Sequence, residues 1–139
     1  MDEAQFMQAL QSDLASEFTA ISHYVTYAAT LRGINRPELK ELFEEEAADE
    51  LGHAQFFADK IAVLGGQPQI VARPANPTSD PVEMLTRLLE LEVQTVQNYS
   101  QRADQAAQLG LHALSVDIEN ILTDELAHRD ELAMILGSV

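Results

Sequence analysis

Two stretches of this chain carry the same five-residue phrase. Asp49-Glu50-Leu51-Gly52-His53 returns 75 residues later as Asp124-Glu125-Leu126-Ala127-His128. The same offset relates Glu17 to Glu92 and Tyr24 to Tyr99. On a helix, E-x-x-H sets its two side chains about 300° apart, on one face and one turn apart, where both can serve one metal site. Each half therefore offers an E-x-x-H and a further Glu, and together they supply four carboxylates and two imidazoles. That set suits two metal ions. Motif symmetry assigns Glu17 and His53 to one ion and Glu92 and His128 to the other, with Glu50 and Glu125 bridging. Four buried glutamates without counterions would be costly or would take up protons. Two divalent ions balance their charge. Mixed oxygen and nitrogen donors suit Fe(II) or Mn(II), and zinc or cobalt could bind in vitro.

Other residues near the phrase admit more than one role. Tyr24 and Tyr99 are redox-active groups or hydrogen-bond donors to a carboxylate. Asp49 and Asp124, one turn before the histidines, orient them or stay solvated. Glu46 lies in an apolar stripe, but its repeat equivalent is Ile121. It reads as a second metal path, a proton relay or a partly exposed bundle glutamate. His23 and His112 fall off the stripes and read as surface histidines.

The positioning elements follow from periodicity. Phe6, Leu10, Leu14, Glu17, Ile21, Tyr24, Ala28 and Leu31 step by three or four residues, predicting a long helix over about 2–31. Gly33-Ile34-Asn35 breaks it. Asn35 with Arg36-Pro37-Glu38 reads as a capped helix start, and the stripe Leu39, Phe43, Glu46, Glu50, His53, Phe57, Ile61 and Leu64 carries a second helix to about 64. Asp80-Pro81 starts a third through Leu88, Glu92, Val96, Tyr99 and Ala103, ended by Gly110. A fourth carries Leu114, Ile118, Ile121, Glu125, His128 and Leu132. The joins between helices 1 and 2 and between 3 and 4 are short. Residues 65–79, with Pro68, Pro74 and Pro77, form a long one. Fifteen extended residues span roughly 50 Å, while a 28-residue helix is about 42 Å long. The linker can therefore cross the whole bundle. The expected architecture is an all-α, antiparallel four-helix bundle with a long crossover between helices 2 and 3, in a single domain over residues 1–139.

Composition narrows the chemistry. The chain has 139 residues, 46% of them hydrophobic, which supports a packed core despite a net charge of −15. It has no cysteine, excluding disulfides, Fe–S clusters and thiol catalysis. Its acidity disfavours nucleic acid. No signal peptide or membrane span is visible, so a cytoplasmic location is expected.

The chain resembles a bacterioferritin from about residue 6 to 136. Beyond the six candidate ligands, the likeness rests on Glu17-Phe-Thr-Ala-Ile-Ser-His-Tyr24, on Leu-Gly-Gly-Gln-Pro at 64–68, and on Val82-Glu-Met-Leu85 leading to Leu91-Glu92. The resemblance implies a di-iron ferroxidase centre, in which Fe(II) is oxidised by O2 or H2O2 and Fe(III) is retained or passed on. It carries over Glu17, Glu50, His53, Glu92, Glu125 and His128 as ligands, with Tyr24 beside the site as a further catalytic residue. Asp49 and Glu46 match acidic positions near the family's inner cavity. Two departures stand out. The family's haem-ligating Met follows the first bridging Glu, where this chain has Leu51, so no haem is expected. A fifth helix is also not expected, which opens the assembly to a dimer or to a larger homo-oligomer.

Three functions compete. The first is a ferroxidase in iron storage or detoxification. The second is a non-storing di-iron (or Mn/Fe) oxidase or peroxidase of rubrerythrin type. Against it, the chain lacks a Cys-rich domain and has Thr95 and Val96 in the turn after Glu92, where an extra Glu would be expected. The third is a metal-bound interaction module.

Overall fold

In the computed structural model, which describes residues 1–137, four helices account for most of the chain: α1 (Glu3–Thr30), α2 (Arg36–Val63), α3 (Pro81–Gln108) and α4 (His112–Leu136). Their ends follow local chemistry. Asp2 caps α1 by accepting from the Gln5 amide, and the Gln5 side chain returns the bond to the Asp2 amide. Asp80 caps α3 by accepting from the Val82 amide, with Pro81 in the first turn. The capping role expected of Asn35 is not seen. Its side chain makes no capping bond and its backbone lies outside the extended region a cap prefers. The Arg36 guanidinium instead bonds the backbone oxygens of Ala29 and Leu31, fastening this corner to the end of α1.

At the other end of α2 the paired glycines meet different constraints. Gly65 has φ of +92°, and a Cβ on Gly66 would stand 2.8 Å from Met7 Sδ. The amide of Gly66 bonds Ile61 O at 2.9 Å, closing the helix.

The linker then runs along α1. Gln11 Nε2 donates to Gln67 O and Gln11 Oε1 accepts from the Gln69 amide, the Arg73 amide donates to Thr19 Oγ1, and Tyr27 Oη donates to Asn76 O. Successive linker residues thus meet successive turns of α1, from its first half to its last turn. The chain re-enters at the end where α2 began, so α3 runs parallel to α2. The bundle's close backbone contacts join α1 to α2, α3 to α4 and α1 to α3.

The core is split. One apolar cluster holds Phe6, Leu10, Leu14, Phe57, Ile61, Tyr99 and Ile118, and the other holds Tyr24, Tyr27, Phe43, Met84, Leu88 and Leu132. The charged residues of the repeated phrase lie between the two. No helix among the described residues is long and apolar enough to cross a membrane. The expectation about a fifth helix concerns chain outside the described residues.

Candidate metal centre

Each helix contributes from its middle. Glu17 comes from α1, Glu50 and His53 from α2, Glu92 from α3, and Glu125 and His128 from α4. All six are buried, from Glu125 at 0% exposed to His53 at 7%. Donor atoms of Glu17, Glu50, His53 and Glu125 lie within 4.8 Å of one another, and so do those of Glu50, Glu92, Glu125 and His128. Glu50 and Glu125 belong to both sets, as the symmetry of the phrase anticipates. The two rings stack with centroids 6.4 Å apart. Each presents Nδ1 inward: His53 Nδ1 is 2.7 Å from Glu125 Oε1, and His128 Nδ1 is 3.0 Å from Glu50 Oε1.

The outer partners are exchanged between the halves. His53 Nε2 bonds Asp124 Oδ2 at 2.9 Å, and His128 Nε2 bonds Asp49 Oδ2 at 3.1 Å. Each aspartate thus orients the histidine of the opposite half while its own side chain stays more than half exposed. The tyrosines cross over in the same way. Tyr24 Oη donates to Glu92 Oε1 at 2.7 Å, and Tyr99 Oη donates to Glu17 Oε1.

The electrostatics of the cluster follow from burying so many carboxylates together. Burial pushes Glu50 well above the usual carboxylate range, and the charges of Glu17, Glu92 and Glu125 push it further. Burial likewise raises Glu92, with Glu125 adding to it. For His53 and His128 burial opposes charge, but the surrounding carboxylates overcome it and raise both rings from 6.5 to about 11. Burial also works against Glu125, yet the Glu92, His128, His53 and Glu50 side chains gathered around it hold it below its ordinary value. Burial and the adjoining glutamates raise Tyr24 and Tyr99, so both are neutral phenols.

The donor set fits metal ions on a direct count. Glu17 Oε2, Glu50 Oε1, Glu92 Oε2, Glu125 Oε2 and His128 Nδ1 are all buried without a hydrogen-bond partner, as is Glu46 Oε2 beside them. One unpartnered oxygen from each of the four candidate ligand glutamates is an arrangement that costs free energy in a protein interior unless a cation meets it.

Several side chains lie elsewhere than the pattern suggested. Glu46 is buried at 8% exposed, not partly exposed, because it turns inward to within 2.7 Å of His128 Nε2. His23 is half-buried, with Nδ1 2.7 Å from Thr19 O and its ring edge-on to Tyr27. His112 is exposed. Leu51 faces outward, 45% exposed. The buried ion pair of Asp13 and Arg102 escaped sequence reading altogether. Arg102 Nε donates to Asp13 Oδ2 at 2.7 Å, one turn from both Glu17 and Tyr99. Its only trace in the sequence is a pair of charges beside the stripes, at positions whose repeat equivalents are Leu88 and Tyr27.

A four-helix bundle with a long crossover, closing on a buried cluster of glutamates and histidines, is the architecture of the di-metal carboxylate proteins. The family model for the ferritin-like domain matches residues 7–139, and the chain belongs to that family. Among its relatives, bacterioferritin from Rhodobacter capsulatus is 28% identical over 131 residues, covering 94% of this chain and 81% of that one. Bacterioferritin from Desulfovibrio desulfuricans is 28% identical over 127 residues, covering 91% and 71%. Among solved structures, a ferritin-like di-iron carboxylate protein from Bacillus anthracis superposes with a TM-score of 0.93 at 38% identity, covering 98% of this chain and 99% of that one. The R. capsulatus bacterioferritin, described with a metal-free dinuclear site and a haem iron, superposes at 0.84 with 27% identity, covering 98% and 86%.

Proposed function

We propose that this protein is a ferroxidase, with two iron ions held by six side chains. Glu17 and His53 hold one ion, Glu92 and His128 the other, and Glu50 and Glu125 serve both. The observation that carries this reading is the set of four buried glutamates, each with one oxygen free of any hydrogen bond. Iron bound there supplies the electrons that reduce O2 or H2O2. With peroxide the balance is two Fe(II), one H2O2 and two protons giving two Fe(III) and two waters. Manganese shares the same donor preferences and is the alternative metal.

The chain's own residues do the rest. Tyr24 and Tyr99 each occupy one oxygen of a terminal glutamate, so Glu92 and Glu17 present the other inward. Asp49 and Asp124 hold the Nε2 protons outward, which leaves both Nδ1 atoms facing the cluster. The apolar layers on either side keep bulk water from the carboxylates. Leu51, in place of a thioether, offers no haem ligand. Val25 on α1 and Leu51 on α2 expose apolar surface that a second copy would cover, in keeping with a homo-oligomer.

The test is Fe(II) oxidation by purified apoprotein under O2 and under peroxide, with metal counting. Fast oxidation, two irons per chain and loss of both in Glu50→Ala are expected. Two bound irons with no acceleration over buffer would overturn the ferroxidase reading. Light scattering after iron loading separates storage from turnover: thousands of irons per particle mean a mineral-holding cage, and two per chain in a small oligomer mean redox chemistry alone.

A further inference from the structure

The two halves of the centre differ by one buried charge. Behind His128, Nε2 lies 3.1 Å from Asp49 Oδ2 and 2.7 Å from Glu46 Oε2. Behind His53, Nε2 meets Asp124 Oδ2 at 2.9 Å, and the position equivalent to Glu46 is filled by buried Ile121. Asp49 and Asp124 are solvated to a similar degree, so water weakens both alike. Glu46 is different. It is buried, and its Oε2 has no hydrogen-bond donor of its own, so its charge acts on the His128 ring through a poorly screening interior.

A carboxylate against the outer nitrogen of a metal-binding imidazole makes the inner nitrogen a stronger donor. It also adds negative charge close to the cation. Near Glu17 the repeat departs in charge at Asp13 and Arg102, but these two neutralise each other and add no net charge. Glu46, Asp49 and His128 could also be imagined to hold a third ion. That would require the His128 ring to donate through Nε2 and Nδ1 at once, with both of its protons gone. Backing one ligand needs only the hydrogen already there.

We infer that Glu46 makes the two ion positions unequal. It is a positioning residue that strengthens His128 as a ligand, so the Glu92–His128 position fills before the Glu17–His53 position. This rests on the two-ion reading above.

Zn(II), which is diamagnetic, is the probe. Titration of the apoprotein is followed by ring-nitrogen NMR of His53 and His128, with competition titration for the two stepwise constants. The expected result is that His128 signals move during the first equivalent and His53 signals during the second. Glu46→Ile, which copies the other half, weakens the first step by about 10- to 100-fold and brings the two together. Glu46→Gln keeps the size, removes the charge and does the same, covering the case in which the Ile variant misfolds. Ile121→Glu strengthens the His53 step. Rings that respond together in the unmodified protein, or a gap unchanged in both Glu46 variants, would overturn the inference while leaving the two-ion centre standing. Three ions per chain, with the third lost in Glu46→Gln, would overturn it in favour of a separate site. Failure to bind two ions would remove both readings.

Discussion

Tyr24 donates its phenolic hydrogen to Glu92 Oε1 at 2.7 Å, tying the first helix to the third across the middle of the bundle. Tyr99 and Glu17 make the reciprocal tie, and the two histidine–aspartate bonds exchange partners between α2 and α4 in the same sense. Neither half can therefore orient its own candidate ligands. The site is assembled only when the halves pair, and its pseudo-twofold symmetry belongs to the hydrogen bonds as well as to the sequence.

Tyr24→Phe tests that tie. It leaves Glu92 Oε1 buried without its donor, at a cost of about 1–3 kcal/mol for an unsatisfied buried acceptor. Urea unfolding of the apoprotein should show this loss. Fe(II) oxidation should slow as Glu92 gains freedom to turn, and Tyr99→Phe should have the matching effect through Glu17.

Glu50→Gln should separate folding from metal binding. Burial and three neighbouring carboxylates already disfavour the Glu50 charge. Removing it at constant size should leave the apoprotein as stable or more stable. The same change should abolish most of the rise in thermal midpoint that Zn(II) or Mn(II) produces. An apoprotein markedly weakened by Glu50→Gln would contradict this account of the cluster.

The pH dependence has a definite sign. Between pH 6.5 and about 11 the folded apoprotein keeps protons on His53 and His128 that the unfolded chain has released. The native state binds more protons in that window, so stability is fully present below it and is lost as pH rises through it. Asp13, raised by burial from 3.8 to about 6 against the pull of Arg102, acts with the same sign at lower pH. The thermal midpoint of the apoprotein should therefore fall from about pH 6 to about pH 9. Metal binding expels the ring protons. Zn(II) should accordingly stabilise more at the higher pH and release protons into a weakly buffered solution.

The Asp13–Arg102 pair should prove costly to break and cheap to replace. Arg102→Ala strands a buried carboxylate one turn from Glu17 and should cost about 3–5 kcal/mol in chemical denaturation. The double change Asp13→Leu with Arg102→Tyr installs the residues of the other half, Leu88 and Tyr27. It should be neutral or stabilising, because it removes the desolvation of two charges.

Much of this was legible in the linear chain because helices impose a period. Glu17, Glu50 and Glu92 stand out as charges inside apolar stripes, and a repeat at constant offset marks them as a set. The crossover was legible from length alone, since residues 65–79 can span a helix the size of α1. Other features gave no such signal. Asn35 has the composition of a cap without the conformation, because Arg36 holds that corner through the end of α1. Glu46 stands in an apolar stripe and reads as a metal path, a proton relay or a partly exposed bundle glutamate, but nothing in its own helix reveals the imidazole facing it. Asp13 and Arg102 lie 89 residues apart and share no motif, so only packing of α1 on α3 brings them together.

The sequence by itself determined the elements, the donor types and their depth along each helix, because 3.6-residue periodicity and the repeat are local properties. Tertiary structure alone decided partnership. It chose Glu92 for Tyr24, Asp124 for His53 and the buried Glu46 for His128, because those choices depend on which helices are neighbours and how they are rotated. The repeated phrase makes the two halves look alike; Glu46 against Ile121 across the repeat is the difference in sequence, and tertiary packing is what brings that one extra carboxylate to within 2.7 Å of His128 Nε2.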